Sequence, residues 1–469
     1  MRKGRGKGMR NFRSQRDGAR ERSRYYLAGI LAGLAYLIGA ELIWLPAPLE
    51  SGGGMEWIEW IDYLYYGLAV VPLCWVAGSI DRGLWNGTTP VVLRLIRIAL
   101  AAISLASAGI IVFAVDKLEL QLFGIVACAV LVFADLLVSE VLRKRRFPWR
   151  NSSLLASTLA VLALTAWPTS YNVTYPGMTL NLNRYAEVEG GAAGGVIDGV
   201  LVFDRPAVLA DRLYAAFFPQ YVFQPIPENE PPLSETYAQV VAMKSDANRV
   251  AAAIAMEKAG LGEGAVPDGV RIVAIVKGSP ADGTLQAGDI IDALDGRPVS
   301  RVEDLITTME TAVKAGDEVR VSVRRGAAKE EINVRAAASE DTPDRAVLGV
   351  SVQTEVKLDT PRIVSYNDYM AHVGGPSHGA MLTLALIDQL TPGGVTKGLR
   401  IAGTGTIEAD GSVGMVGGIP QKAYAVSRTD ANVFFVPRAG EEAAKAAAPG
   451  LNIVAVEHID DVLQWLENQ

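Results

Sequence analysis

The chain has 469 residues, half of them hydrophobic, with a formal net charge of −7. Its mean hydropathy is +0.22, which is high for a soluble protein and indicates a membrane portion. A disulfide framework is disfavoured because both cysteines, Cys74 and Cys128, fall inside apolar runs, and neither they nor the three scattered histidines form a cluster of metal ligands. We therefore expect no metal and no cofactor.

The first 24 residues are strongly basic. They contain ten Lys or Arg against Asp17 and Glu21, a charge of +8, which leaves −15 for the rest of the chain. A basic tail ahead of an acidic body predicts orientation in a membrane, with no role in nucleic-acid binding. We therefore expect residues 1–24 to be a disordered cytoplasmic tail.

Residues 25–168 form the predicted transmembrane region, an α-helical bundle of about five spans. The apolar runs lie at 25–45, 63–80, 95–115, 122–142 and 154–167. A cleaved signal peptide is disfavoured because the first run is long and further runs follow. Lys and Arg are dense at 143–150 and absent at 46–56, so the positive-inside rule predicts a cytoplasmic N-terminus and an extracytoplasmic remainder.

Asp135 lies inside the fourth apolar run. An ionisable group at that depth is a functional hypothesis by default, and it could face Arg94 or Arg97. Alternatively, it lies near a helix end and is wet. The first interpretation would fit a transport or sensing unit coupled to the rest of the chain.

A juxtamembrane segment and linker is predicted at 169–240. It opens with the β-rich sequence 170–177, and the prolines of 222–232 indicate an extended connection. A helix at 246–259 is expected to lead into the next unit.

The unit at 241–340 has the order of a small β-rich α+β domain. Its elements are a buried strand at 269–276, the motifs Gly278-Ser-Pro-Ala281 and Ala287-Gly-Asp-Ile-Ile291, a helix at 302–315 and a hairpin at Arg325-Gly326. This order resembles a PDZ domain of bacterial proteases. The resemblance implies that an extended peptide binds between a sheet edge and the helix at Val302. A loop for the peptide carboxylate is not evident upstream of Gly269, and a spacer or inhibitory lid is the alternative.

A candidate nucleophile lies in the last unit, 345–469, in the sequence Gly374-Gly-Pro-Ser377-His-Gly. Ser377 stands between a Gly-Pro turn and an apolar helical run, which predicts a helix N-terminus. Free N–H groups and the helix dipole favour an oxyanion there. A serine hydroxyl still needs a base.

Lys422 is the candidate base, because His372 and His378 lie too close to the serine in sequence. It follows Gly-Gly-Ile-Pro, so Pro420 predicts a helix start around it. An amine with a free pKa of about 10.4 accepts a proton near neutrality only if burial lowers that pKa. Ser-Lys dyads activate a hydroxyl in this way. The alternative is a helix-capping serine and a surface lysine.

Three motifs in order carry a resemblance to the proteolytic domain of Lon proteases, an α+β domain. They are Gly374-Gly-Pro-Ser377-His-Gly, Ile401-Ala-Gly-Thr404-Gly-Thr-Ile and Asp410-Gly-Ser-Val-Gly-Met-Val-Gly-Gly-Ile-Pro-Gln-Lys422. From about Ala166 onward the chain is similar to bacterial membrane-anchored PDZ and Lon-like proteases. The resemblance implies Ser377 as nucleophile, Lys422 as general base and Thr404 as the hydroxyl that orients the lysine.

Two positions depart from the family pattern. Gly374 stands where many Lon enzymes have an acidic residue, so no acid is expected there. His378 replaces the usual alanine, and it could narrow the cleft or alter the pH response, or be a tolerated surface residue. The sequence contains no Gly-x-x-x-x-Gly-Lys-Ser/Thr motif, so the ATPase module of large Lon enzymes is missing.

Together these features predict a membrane-anchored, ATP-independent serine endopeptidase. It would cleave flexible segments of secreted or membrane proteins outside the cytoplasm, with the PDZ-like unit binding or gating substrate. Expected partners are peptide or protein substrates and membrane lipid, with no nucleic acid. A homo-oligomer is possible, because Lon-type domains tend to form rings. The competing hypothesis is a non-catalytic PDZ scaffold or sensor that binds exported peptides.

Overall fold

The computed structural model describes residues 23–49, 54–84, 89–115, 117–227, 233–339, 345–369 and 374–469. The predicted tail, apart from its last two residues, and His372 lie outside this part of the chain.

The N-terminal region is helical, as predicted. Its helices are α1 (Arg24–Glu41), α2 (Trp57–Tyr66), α3 (Val70–Asp81), α4 (Val91–Phe113), α5 (Leu118–Lys144) and α6 (Trp149–Ala166). A 3-10 turn, Gly67–Ala69, joins α2 to α3.

Three helical stretches among the described residues are long and apolar enough to cross a membrane. They are Trp57–Asp81, Val91–Phe113 and Leu118–Lys144, and they support membrane anchoring. The count of five spans is not confirmed. Helices α1 and α6 have 18 residues each, about 27 Å of helix, which is slightly less than a hydrocarbon core of about 30 Å.

Asp135 is fully buried within the helical region. Its carboxylate accepts hydrogen bonds from Nε of Arg97 at 2.9 Å and from Nε of Arg82 at 2.5 Å. The interpretation of a wet residue near a helix end is therefore wrong, and the predicted partner Arg97 is confirmed. Arg82, just after α3, is a partner that sequence analysis did not predict. A charge at this depth requires such pairing.

The remainder of the chain is α+β. In chain order its strands are β1 (Pro168–Asn181), β2 (Ala186–Val188), β3 (Val196–Val208), β4 (Val222–Pro225), β5 (Gly264–Ile275), β6 (Ile290–Leu294), β7 (Arg297–Pro298), β8 (Glu318–Arg325), β9 (Ala328–Arg335), β10 (Ala337–Ala338), β11 (Ala346–Val347), β12 (Val350–Asp359), β13 (Val364–Tyr366), β14 (Arg400–Gly403), β15 (Thr406–Ile407), β16 (Val413–Gly414), β17 (Val433–Pro437) and β18 (Ile453–Val456). Its helices are α7 (Leu182–Tyr185), α8 (Leu209–Phe217), α9 (Leu233–Lys258), α10 (Val302–Ala312), α11 (Gly379–Leu390), α12 (Ile419–Val426), α13 (Glu441–Ala447) and α14 (Ile459–Glu467).

One six-stranded sheet joins the juxtamembrane segment to the last unit. Its strand order is β18-β17-β14-β3-β1-β4. The first four strands pair in parallel, whereas β1 pairs antiparallel with β3 and β4. The segment predicted as a separate juxtamembrane unit therefore supplies half of the sheet on which the candidate site is built.

The unit predicted as PDZ-like has its own sheet, in the order β12-β5-β6-β8-β9, with β7 paired to β6. Alternation along β8 buries Val319, Val321 and Val323 and leaves the residues between them more exposed, the period-two pattern of a half-buried strand. Strand β12 lies beyond the predicted start of the last unit at residue 345, yet it pairs with β5. The sheet thus places this strand in the PDZ-like unit.

Helix α11 forms the centre of the last unit. Every residue from Gly379 to Gln389 is buried, as expected for a helix that is apolar all round. Helix α9 packs against it in the same buried core, to which it contributes Ala251, Ala252 and Ala255. These small side chains allow the two helices to approach closely. Helix α9 then leads into β5, so it connects the core to the PDZ-like unit.

The helical region docks on the six-stranded sheet through the residues after α1. Trp44 is fully buried. The centroid of its ring lies 5.8 Å from that of Phe218 and 6.4 Å from those of Tyr221 and Tyr424. The guanidinium of Arg428 lies over the Trp44 ring and donates a hydrogen bond to the carbonyl of Leu45. This contact brings the membrane region directly against α12.

Candidate active site

Ser377 lies in the 3-10 turn Pro376–His378, which runs directly into α11. Pro376 occupies the start of this turn, where its fixed φ and missing N–H carry no penalty. The prediction of a serine at a helix N-terminus is therefore confirmed. The residue is half-buried.

The backbone of Ser377 is held by the loop between β14 and β15. Its carbonyl oxygen accepts hydrogen bonds from the N–H of Gly405 at 2.9 Å and from the hydroxyl of Thr404 at 3.0 Å. The N–H of Ala380 donates to the carbonyl of Gly405 at 3.1 Å. Three hydrogen bonds thus fix the serine turn against one short loop.

Thr404 is buried and is itself fixed by the central sheet. Its N–H donates to the carbonyl of Phe435, in β17, at 3.0 Å. Its hydroxyl oxygen accepts a hydrogen bond of 2.8 Å from Nζ of Lys422. The three predicted site residues Ser377, Thr404 and Lys422 are therefore brought together, with the threonine hydroxyl between the serine backbone and the lysine.

Lys422 lies in the first turns of α12, where the proline pattern predicted it. Gly418 caps this helix with φ of 68°, and a Cβ there would lie 3.0 Å from Val202. Only glycine adopts this left-handed conformation without strain. The cap sets the helix so that Ile419 and Ala423 enter a buried apolar cluster.

The Lys422 side chain is buried with this apolar face and is 1% exposed. Burial lowers its pKa from an ordinary 10.5 to about 7, because the charged form loses its hydration. A large fraction of the amine is then neutral near pH 7. The alternative of a surface lysine is wrong.

The directions of these hydrogen bonds determine the chemistry that Lys422 can perform. Because the Thr404 hydroxyl donates to the Ser377 carbonyl, its lone pair must accept the N–H of Lys422. A neutral amine that gives one N–H to Thr404 keeps a lone pair that is free to accept a hydrogen bond. Such an amine can accept a proton from a neighbouring hydroxyl.

His378 is buried, so the interpretation of a surface histidine is wrong. Its Nδ1 lies 3.0 Å from the carbonyl oxygen of Gly375, and its Nε2 lies 2.8 Å from Oδ1 of Asn248. Burial lowers the pKa of the ring to about 4, so it is neutral at pH 7. The oxygen and nitrogen of the Asn248 amide have nearly the same shape and can be exchanged. A neutral ring then donates from Nδ1 to the Gly375 carbonyl and accepts at Nε2 from the amide N–H of Asn248.

Sequence analysis missed Asn248. It lies in α9 and is 7% exposed, and its amide also contacts the hydroxyl of Tyr185 at 3.0 Å. The available signal was a single amide side chain within an alanine-rich helical run at 247–255. A buried amide in such a run requires specific partners.

A second groove lies in the PDZ-like unit, between α10 and β12. Its volume is about 550 Å³, and Leu305 and Met309 line one side while Val350 and Val352 line the other. This is the position predicted for a bound peptide. Leu348 and Gly349, which come after the domain's helix in sequence, also line this groove.

Among the described residues, no group of three His, Cys, Asp or Glu side chains is placed to hold a metal ion.

Comparisons with known proteins match both units. Residues 242–336 match the family model of the PDZ domain, and residues 370–468 match that of the Lon protease (S16) C-terminal proteolytic domain. A Lon protease of Aster yellows witches'-broom phytoplasma is 30% identical over 111 residues, 21% of this chain. The match spans only 14% of that relative's length.

Solved structures of small domains also align with this chain. A solution structure of a Geobacillus thermodenitrificans protein is 32% identical and covers 18% of this chain and 97% of its own, with a TM-score of 0.17. The PDZ domain of an SdrC-like protein from Listeria monocytogenes is 24% identical and covers 18% and 87%, also with a TM-score of 0.17.

The chain thus consists of an N-terminal helical region with three candidate membrane spans, a PDZ domain and a Lon-type proteolytic domain of the serine protease class. This combination matches the PDZ and Lon-like protease family.

Proposed function

We propose that the protein is a membrane-anchored, ATP-independent serine endopeptidase with a dyad of Ser377 and Lys422. The observation that carries the proposal is the buried Lys422 amine, whose pKa is lowered to about 7 and whose Nζ donates to Thr404. The same Thr404 hydroxyl holds the Ser377 carbonyl. A lysine in an apolar site of this kind does not stabilise the fold, because burying its charge costs free energy.

In the proposed reaction, Ser377 Oγ attacks a peptide carbonyl while its proton passes to the neutral Nζ of Lys422. Backbone N–H groups in the turn that carries Ser377, just before α11, stabilise the oxyanion. The C–N bond then breaks, and the Lys422 ammonium returns its proton to the leaving amine. Water, deprotonated by the same amine, hydrolyses the acyl-enzyme and restores the serine.

The proposed substrates are flexible or extended segments of secreted or membrane proteins. The sequence contains no Gly-x-x-x-x-Gly-Lys-Ser/Thr motif of the kind that an unfolding motor uses, so we propose that the segment reaches the site already extended. The groove between α10 and β12 supports the binding of such a segment as an added strand. We propose that this PDZ groove binds substrate or gates its access.

We also propose a cytoplasmic N-terminus, five spans and extracytoplasmic PDZ and proteolytic domains. The cluster of Lys and Arg at 143–150 supports this orientation. It lies between α5 and α6, at the start of α6, whereas the six-stranded sheet begins with β1 just after the other end of this helix. Impermeant labelling of single cysteines in intact cells would test it.

Full-length protein in liposomes or detergent is the material for the main test, with an unfolded protein and fluorogenic peptides as substrates. Ser377→Ala and Lys422→Ala should each abolish cleavage, whereas Lys445→Ala, a change at an exposed lysine, should not. A serine-directed covalent probe should label Ser377. Full activity in either site variant would refute the dyad.

If purified protein neither cleaves nor reacts with the probe, the PDZ groove remains the functional feature. The protein would then be a non-catalytic scaffold or sensor that binds exported peptides. Binding of an extended peptide in the absence of any turnover would support that alternative.

A further inference from the structure

Helix α8 exposes an apolar stripe. Leu209, Leu213 and Phe217 are 46%, 51% and 74% exposed. Their spacing of four residues places them on one face, and Ala210 and Asp211 are the residues that the helix buries. The apolar face of this helix therefore points away from the domain that carries it.

The start of α8 lies beside the end of α6. Strand β3 leads into α8, and its last residue, Val208, pairs with Pro168, two residues after α6 ends at Ala166. Helices α6 and α8 pack against each other. Trp167, directly after α6, is 63% exposed.

The end of α8 lies beside the end of α1. The ring of Phe218 packs edge-on against Trp44, three residues beyond Glu41, where α1 ends. The Arg205 guanidinium pairs with the carboxylates of both Glu41 and Asp211. Helix α8 is thus fixed between the ends of two helices of the apolar N-terminal region.

The surroundings of α8 have the composition of a membrane–water interface. Trp167 and Tyr171 are exposed next to it, and the Arg212 guanidinium lies 3.9 Å from the ring centroid of Phe223 and 5.0 Å from that of Tyr171. Trp and Tyr are enriched at the headgroup level, and Arg can lay its stem on apolar surface while its charge stays in water.

The exposed face of α6 extends this surface toward the apolar region. Leu159 is 55% and Leu164 is 42% exposed, so apolar side chains continue from α6 through Trp167 to α8. We infer that α8 lies in the headgroup layer of the bilayer, with Leu209, Leu213 and Phe217 inserted among the lipids. The six-stranded sheet is then held against the membrane surface by α8 as well as by the helices that anchor the chain.

A photo-crosslinking experiment tests this inference on the full-length protein in phosphatidylcholine and phosphatidylglycerol liposomes. Benzoylphenylalanine is placed at position 213 or 217, and in the matched control at 273, where Val273 of β5 is also 51% exposed. After irradiation, mass spectrometry counts adducts. A Ser377→Ala background makes the result independent of proteolysis.

The inference predicts lipid adducts at 213 and 217 that exceed those at 273 several-fold. Two results would overturn it. Equal and low lipid labelling at all three positions would place α8 in water, and adducts between two copies of the chain at 213 or 217 would show that a second copy covers the stripe.

Discussion

Nε2 of His378 lies 2.8 Å from Oδ1 of Asn248, which joins the residue after the proposed nucleophile to helix α9. The same helix leads into the PDZ domain through β5. A displacement of α9 would therefore be transmitted to the turn that carries Ser377 through one side-chain contact.

Asn248→Leu should lower kcat about 10-fold, or about 1.4 kcal/mol, with a smaller change in KM. The reason is that the His378 ring loses its contact with Asn248 and holds the Gly375–Ser377 turn less firmly. Steady-state kinetics on a fluorogenic peptide measure both constants. Asn333→Leu, on β9 of the PDZ sheet, is the control, and an Asn248→Leu enzyme with unchanged kcat would show that the contact does not position the turn.

The pH dependence of kcat/KM should follow the Lys422 amine. Burial lowers its pKa to about 7, and only the neutral form accepts a proton, so activity should rise as pH increases through about 7 and then level off. Lys422→Arg should be inactive at every pH, because a guanidinium does not lose its proton in this range. A profile that falls across pH 6–8 would contradict the assignment of Lys422 as base.

The same burial predicts a gain in stability when the lysine is removed. The pKa of Lys422 is lower in the folded state than in the unfolded state. Burial of the charged amine therefore lowers the free energy of unfolding by its full amount below pH 7. This destabilisation decreases as pH rises toward about 10.4. Lys422→Met should therefore have a higher Tm than the wild type at pH 6, and the difference should narrow at pH 9. Differential scanning calorimetry measures this, with Lys445→Met as the control.

Thr404→Val should reduce kcat by roughly 10- to 100-fold, the effect of about 1–3 kcal/mol from leaving buried polar groups without a partner. The variant keeps the shape of the side chain but loses the hydroxyl that accepts from Lys422 and donates to Ser377. Thr404→Ser should restore most of the rate. If serine rescued no better than valine, the hydroxyl would have no role in orienting the lysine.

His378 should make the folded state sensitive to mild acid. Burial lowers its pKa from 6.5 to about 4, so the unfolded chain binds a proton between these values that the folded chain does not. Its contribution to stability is complete above pH 6.5 and is lost as pH falls toward 4. His378→Gln should flatten this part of the curve of Tm against pH, whereas the partly exposed His458→Gln should not.

Local patterns in the sequence predicted the settings of two residues of the candidate site, Ser377 and Lys422. The Gly-Pro pair before Ser377 and the Gly-Ile-Pro before Lys422 each predicted a helix start, and both starts are present. Gly and Pro mark a helix start over only a few residues, so this signal can be recognised in a single sequence. The resemblance to Lon proteases then implied Thr404 as the hydroxyl that orients Lys422.

Long-range pairing could not be predicted in the same way. Strand β3 pairs with β14 about 200 residues later, with Gly199 opposite Gly403, and no local signal specifies that register. For the same reason the pairing of β12 with β5 was not predicted, and Arg82 was not recognised as a partner of Asp135. Asn248 was missed because the residues it contacts lie far away in the sequence.

Trp44 has a consequence for any shortened version of this protein. Its indole packs against the rings of Phe218, Tyr221 and Tyr424. Tyr424 is two positions after Lys422 in α12. A fragment reduced to residues 168–469 would lack this contact on α12, the helix that carries the proposed base, and its lower rate should recover when a small aromatic compound takes the place of the indole. The anchor would then be an integral part of the enzyme's working shape as well as its tether.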